Sequence, residues 1–269
     1  MERKFFQFLL LTISMTIAIF FYKIATIKIP DPNGFPILEY HMITANPDET
    51  SRIYSVPPEI FAEQMDFLIE HGYQTITLQD YIRASHGEIE LPMNPIILTF
   101  DDGYSDNYSE LFPILKSRNM VAVIFVVSNL VNQPGYLTWD QIREMQSYGI
   151  EIGCHGANHI SIENLSDESQ RHEIIDSKKF LEYNGIYNVM SFSYPNGKYD
   201  QKSLELIFEN YSAAVTGDAG LNNFSTDSIL LQRTNIPLPK IESLAVFEFD
   251  LRLKKCSVMT ELNIHQHQK

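Results

Sequence analysis

Two adjacent carboxylates, Asp101 and Asp102, follow the apolar run Pro95-Ile96-Ile97-Leu98-Thr99-Phe100 and precede Gly103. Their side chains leave the backbone in different directions, so one can bind a cation while the other stays free as a base. Further along, the run Ile150 to Cys154 ends in His155-Gly156-Ala157-Asn158-His159, two imidazoles four residues apart. On one helical turn that spacing brings both rings to one side, the arrangement a tetrahedral metal needs from two of its ligands. A third turn, Tyr194-Pro195-Asn196-Gly197, ends the run Val189 to Ser193 and is able to aim a backbone N–H into the same space. Singly, each pattern is ordinary: Asp-Asp-Gly is a common turn, and a His pair four apart commonly sits on a solvated face. All three, however, come just after a strand-like segment, and in a parallel α/β protein such loops share one rim. Together they converge on one rim as a candidate metal site.

The segments that must position these residues alternate in period along the chain. Ile37 to His41, Gln74 to Thr77, Pro95 to Phe100, Val121 to Val127, Ile150 to Cys154, Val189 to Ser193 and Ala213 to Thr216 read as strands. Pro58 to His71 reads as a helix with Phe61, Met65 and Leu68 on one stripe and Gly72 closing it. Thr138-Trp139-Asp140-Gln141 has capping-box spacing before a helix that stops at Gly149, and polar helices are predicted near Asp167 to Asn184 and Gln201 to Asn210. Strands alternating with helices imply a parallel barrel or a doubly wound sheet in one continuous body.

Composition limits the function classes. The chain has 269 residues, 44% hydrophobic and 20% charged, which is an ordinary globular balance. Its net charge of −14 is unsuited to holding phosphate backbones, so nucleic acid is not an expected partner, and no protein partner is implied. Phe5 to Tyr22 carries no charge between Arg3-Lys4 and Lys23, and no Ala-x-Ala-like pattern of small residues follows. Residues 1–30 are therefore expected to form an uncleaved membrane anchor with its flanks, and residues 31–269 a single domain on the outer side; a secreted form is the alternative. Removing four basic residues and one acidic residue with the anchor leaves 16 minus 33, or −17, on the body. Cys154 and Cys256 make no disulfide framework, and neither has a second thiol nearby.

The motif set resembles the polysaccharide deacetylases of carbohydrate esterase family 4, which share the NodB homology domain. Thr99-Phe100-Asp101-Asp102-Gly103 matches the first family motif without a change. His155-x-x-x-His159 matches the second, with Gly156 where Ser or Thr is usual. Leu38-Glu39-Tyr40-His41, the helix at Pro58 and Leu137 to Ile142 are similar to the branch containing exported poly-N-acetylglucosamine deacetylases. The resemblance implies a distorted (β/α) barrel of about seven parallel strands that hydrolyses N-acetyl groups on a glycan.

Carried over residue by residue, the resemblance makes Asp102, His155 and His159 ligands of a divalent metal, zinc first with cobalt or nickel as alternatives. Asp101 becomes the general base and the backbone N–H of Asn196 the oxyanion donor. The third family motif, Arg-x-Pro, aligns with Ser193-Tyr194-Pro195, so the arginine that steadies the catalytic aspartate is missing, and Arg233 is the candidate replacement. The family's acid-bearing Leu-x-x-His segment has no clear counterpart. Leu262 to His265 imitates it near the chain end, but His41, at the end of the first strand, is the better candidate for the general acid. Trp139, Tyr194 and Pro195 are expected to wall a sugar-binding groove. Three alternatives stay open: a peptidoglycan or chitooligosaccharide deacetylase or O-acetyl esterase with the same metal chemistry, a non-catalytic glycan-binding protein, and a structural metal site closed by Cys154.

Overall fold

The computed structural model describes residues 34–236. The expected anchor, Cys256 and His265 lie outside the described residues. Ten strands occur in this range: β1 (Ile37–Tyr40), β2 (Met42–Ile43), β3 (Ser55–Val56), β4 (Gln74–Thr75), β5 (Pro95–Phe100), β6 (Val123–Val126), β7 (Glu151–Cys154), β8 (Ser191–Ser193), β9 (Ala213–Val215) and β10 (Thr234–Asn235). Seven of them form one parallel sheet in the order β10-β1-β5-β6-β7-β8-β9, β4 adds to β5, and β2 pairs with β3 separately. The sheet curls because one segment touches both of its edges: Leu231 bridges to Val215 of β9, while Thr234 and Asn235 pair with Leu38 and Glu39 of β1. The fold is thus the distorted (β/α) barrel that the motifs implied.

Strand parity decides what lies inside. Side chains alternate across a strand, and the buried apolar residues separate accordingly into two clusters. Ile37, Ile97, Val123, Phe125, Ala213, Val215 and Leu231 fill the barrel interior. Leu38, Tyr40, Leu98, Phe100, Ile124, Ile152, Cys154 and Phe192 face the surrounding helices. Strands β1 and β5 to β9 thus present their odd-numbered residues inward, and the interior is a packed plug. Gly153 is part of that packing, since a Cβ there would lie 2.4 Å from the Phe125 ring.

The helices follow their sequence signals with three additions. Pro58–Glu70 buries Phe61, Met65 and Leu68 as the stripe required, and Thr138 and Gln141 form the expected reciprocal cap on Trp139–Tyr148. An unpredicted helix, Leu78–Ser85, begins at a second capping box, Thr77 with Asp80, which stops β4 at Thr75. A second unpredicted helical segment follows β5: a π-helical turn, Asn107–Leu111, runs into the helix Phe112–Ser117. The expected helix from Asp167 contains another π-helical turn, His172–Asp176, between Asp167–Arg171 and Ser177–Tyr183. The π turn widens the inward face, so Glu173, Ile174 and Ile175 are all buried in succession.

Phe100 holds the sheet to its outer layer. It is fully buried, stacked at 5.2 Å on Tyr40 and edge-on at 5.8 Å to Phe61. Phe100→Ala leaves a cavity beside the strand that carries Asp101, and denaturant unfolding is expected to show a loss of about 3–5 kcal/mol.

Candidate active site

The inward parity of the strands continues past their carboxyl ends. Glu39 and His41 follow from β1, Thr99 and Asp101 from β5, His155 from β7 and Ser193 from β8, all odd-numbered and all above the apolar plug. Of these, Glu39, His41, Asp101 and His155 line an open cavity of about 370 Å³, together with Asp102, His159, Tyr54, Tyr104, Asn196 and Arg233.

Asp101 is 2% exposed and held on several sides. Arg233 grips it bidentately, Nη1 donating to Oδ1 at 2.8 Å and Nη2 to Oδ2 at 2.9 Å. Ser193 Oγ donates to Oδ2 at 3.0 Å, and Arg233 Nη2 also donates to Ser193 Oγ at 3.2 Å. Arg233 is itself buried and anchored, with Nε donating to the Thr216 carbonyl at 2.9 Å and lying 3.5 Å from Glu39. Burial alone would raise the Asp101 pKa and is the largest single influence, but the Arg233 guanidinium, together with His155 and His41, outweighs it and holds the carboxyl well below the usual range. Glu39 shares the same cation and is pushed upward by burial.

Both aspartates come within 3.7 Å of His155 Nε2, and Asp102 opens onto the same cavity from a different backbone direction. Its backbone is left-handed, φ 76°, and its Oδ1 lies 3.7 Å from His155 Nε2 and 3.3 Å from His159 Nε2. Two donors each about 2.1 Å from a tetrahedral ion lie about 3.4 Å apart, so this spacing suits zinc-sized coordination. The donor chemistry fits as well. His155 Nδ1 donates to the Ser193 carbonyl at 2.8 Å, which leaves Nε2 with its lone pair toward Asp102. Burial also holds the His155 imidazole below the ordinary histidine range, against the pull of Asp101 and Asp102, and a ligand must be neutral. A second acidic group, Glu39 with His41 and Asp101, is equally compact, but there Arg233 already supplies the positive charge.

Several expectations need correction. His155 and His159 do not share a helical turn: the segment is an irregular loop, with His159 at φ 57°, because Gly156 turns the chain at φ 80°. Trp139 is not in the cavity, since the cap at Thr138 aims it at Phe180, edge-on at 5.8 Å. Tyr194 borders the cavity, but its buried ring packs on Phe192 and Tyr199 and its hydroxyl donates to the Ile229 carbonyl, so it has no free face for a sugar. Pro195 is buried against the Gly156 turn and outside the cavity. Cys154 points outward to Ser177 and cannot join the histidines.

Asn196, at φ 57° in the turn after β8, does line the cavity. So does His41, which packs on Tyr54 with ring centroids 5.1 Å apart. The π turn after β5 supports it, since Asn107 Nδ2 donates to the His41 carbonyl at 3.1 Å and Asp106 accepts from the Ile43 N–H. Sequence reasoning passed over Glu39, although its spacing from His41 puts both on one face of β1. It also missed Tyr104, stacked on Tyr136 at 5.3 Å, and Tyr54, which no local pattern marks.

The same chain matches the polysaccharide deacetylase family over residues 88–210. It is 30% identical over 213 residues to YxkH of Bacillus subtilis, named as a polysaccharide deacetylase, covering 79% of this chain and 75% of that one. It is 32% identical over 144 residues to the poly-β-1,6-N-acetyl-D-glucosamine N-deacetylase of Escherichia coli K12, a match covering 47% of this chain and 21% of that longer protein. Among solved structures, the Streptococcus pyogenes deacetylase PplD in complex with acetate superposes with a TM-score of 0.71 at 28% identity, covering 77% of this chain and 93% of PplD.

Arg233 compensates a buried charge, so its loss is costly at neutral pH. Arg233→Gln is expected to lower unfolding stability by about 3–5 kcal/mol near pH 7. Because the pair depresses the Asp101 pKa, its contribution is present above the unfolded carboxylate value of about 4 and disappears as pH falls through the lower folded value. The gap between wild type and variant should therefore shrink with acidification, which urea unfolding across that pH range measures.

Proposed function

Because the chain belongs to the polysaccharide deacetylase family, hydrolases of N-acetyl amide bonds, we propose that it removes N-acetyl groups from an exported polysaccharide, of poly-N-acetylglucosamine type, with a divalent metal held by Asp102, His155 and His159. One observation carries the reading: a three-donor set and a separately clamped, charged carboxylate face each other across one open cavity. The name of the Escherichia coli relative supports the glycan class, and acetate in the PplD structure is the product such a reaction releases.

In this reading each residue has a distinct task. Asp101 accepts the proton of the attacking water. Arg233 and Ser193 place three donors on its oxygens, which together have about four acceptor sites, so one site remains for that proton. A carboxylate held below its usual range is a poor base toward ordinary water. When bound, the divalent metal supplies the missing acidity and polarises the acetyl carbonyl. The Asn196 N–H, on the same rim, stabilises the developing oxyanion. His41 protonates the leaving amine, a poor leaving group while neutral, and Asn107 fixes its backbone. Phe5 to Tyr22 tethers the domain outside the membrane, where an exported glycan is met.

Acetate release from a panel of partially acetylated glycans tests the substrate, and the poly-N-acetylglucosamine polymer should be deacetylated fastest. Chelation should abolish release and added Zn²⁺ or Co²⁺ restore it; full activity in protein shown by elemental analysis to be metal-free would falsify metal dependence. Asp102→Ala should lose metal. Asp101→Asn and His41→Ala should keep metal and lose rate, by about 10²–10⁴-fold for a general acid–base group.

The tether has its own check. Protease added to intact cells should remove the domain, and a domain protected from protease would overturn its outer placement.

A further inference from the structure

Glu173 has no place in the reaction, yet it is 1% exposed and carries a carboxylate. Among the described residues no Lys or Arg forms an ion pair with it. Its partners are instead in the metal-site loop: Oε2 accepts the Ala157 N–H at 2.8 Å and the Asn158 N–H at 2.9 Å, and Oε1 accepts Asn158 Nδ2 at 2.6 Å. Both backbone amides lie between His155 and His159. The carbonyls of the same loop are held from the opposite side, Gly156 by the Ser128 N–H and Ala157 by the Asn129 N–H, each at 3.1 Å.

The glycine between the histidines belongs to this arrangement. A Cβ on Gly156 would stand 2.8 Å from Glu173 Oε2, and the residue sits at φ 80°. A side chain at 156 and the Glu173 carboxylate therefore compete for one space. The π-helical turn His172–Asp176 is what brings Glu173 there, because the widened turn buries it beside Ile174 and Ile175.

We propose that Glu173 is a positioning residue that sets the His155–His159 loop in its metal-ready form, and that Gly156 is glycine to admit it. Resting on the metal-site reading, the proposal assigns the loop geometry to a carboxylate from a distant helix. Without it, the buried Ala157 amide and the part-buried Asn158 amide lose their acceptor, and His159, already in left-handed backbone, is free to swing away. Glu173→Gln keeps the size but presents a donor to groups that are themselves donors.

The test uses the full-length chain and Co²⁺ alone as probe. Glu173→Gln is expected to bind Co²⁺ about 10–100-fold more weakly, as losses behind metal ligands do, with an altered visible absorption spectrum. Apo-protein circular dichroism should stay that of wild type. Gly156→Ser should also weaken Co²⁺ binding, and Gly156→Ser with Glu173→Ala should recover part of that loss, because the shorter side chain frees the space. Asp102→Ala serves as reference: if it still binds Co²⁺, the metal site itself is wrong. If Asp102→Ala loses Co²⁺ while Glu173→Gln retains wild-type affinity and spectrum, the positioning role of Glu173 is overturned and the metal site stands.

Discussion

A carboxylate that must stay charged inside a barrel needs a cation inside with it. Removing an ion from water costs several kcal/mol even after relaxation, and good geometry alone makes the debt tolerable. Arg233 provides that geometry through a fork that matches both oxygens of Asp101. The arginine comes from the short segment between Leu231, which meets β9, and Thr234, which meets β1. Closing the barrel and pairing the buried Asp101 carboxylate with its cation are therefore one event. The interaction also explains the departure at residue 193. Ser193 is fully buried with its hydroxyl 3.2 Å from Arg233 Nη2, so an arginine there would meet the guanidinium already present. A small hydroxyl residue joins the network without adding a second cation.

Strand parity supplies the rest of the geometry at no extra cost in sequence. Inward positions nearer the barrel floor are mostly apolar, Ile37, Ile97, Val123 and Ala213 among them, and the polar exceptions pair with each other, Ser191 Oγ donating to Glu151 at 2.6 Å. The same positions become polar toward the carboxyl ends, in Glu39, Thr99, Asp101, His155 and Ser193. Pairing in register keeps these residues level: Glu39 lies beside Thr99, and the Asp101 N–H donates to the Tyr40 carbonyl at 3.0 Å. The plug below is buried, and the rim above opens into the cavity.

Much of this was legible in the chain because strand ends advertise themselves. Apolar runs bounded by turn residues located seven strands, and the residues just beyond them located the carboxylate pair, the histidines and the Asn196 turn. Arg233 and His41 could be nominated because the motif pattern had gaps to be filled. What stayed hidden depends on shape that no short pattern encodes. Two π-helical turns, one under His41 and one under the histidine loop, insert a residue into a helix without altering its composition. The histidine spacing suggested a helical turn, but a glycine at positive φ and the amide-binding Glu173 select a loop instead. Trp139 lies outside the cavity for a related reason: its capping signal is legible in the chain, while the direction set by the cap depends on Phe180, far away in sequence.

The adjacent aspartates show how backbone strain divides labour. Asp101 continues the strand and points at Arg233, whereas Asp102 turns into left-handed backbone at φ 76° and points at the histidines. A residue with a side chain in that region costs on the order of 1–3 kcal/mol and persists only where its surroundings over-determine it. His159 and Asn196 take the same conformation, both at φ 57°, in two other loops of the cavity. Three loops therefore each hold one strained residue against the rim, and each is tied down by a neighbour: Gly103 packed on Val126, the amides clamped by Glu173, and Tyr194 anchored at Ile229. Without that strain, consecutive carboxylates would diverge only as strand neighbours do, one inward and one outward. The left-handed turn at Asp102 brings the second one back over the barrel mouth, so two carboxylates with different partners can come from consecutive residues and still face one cavity.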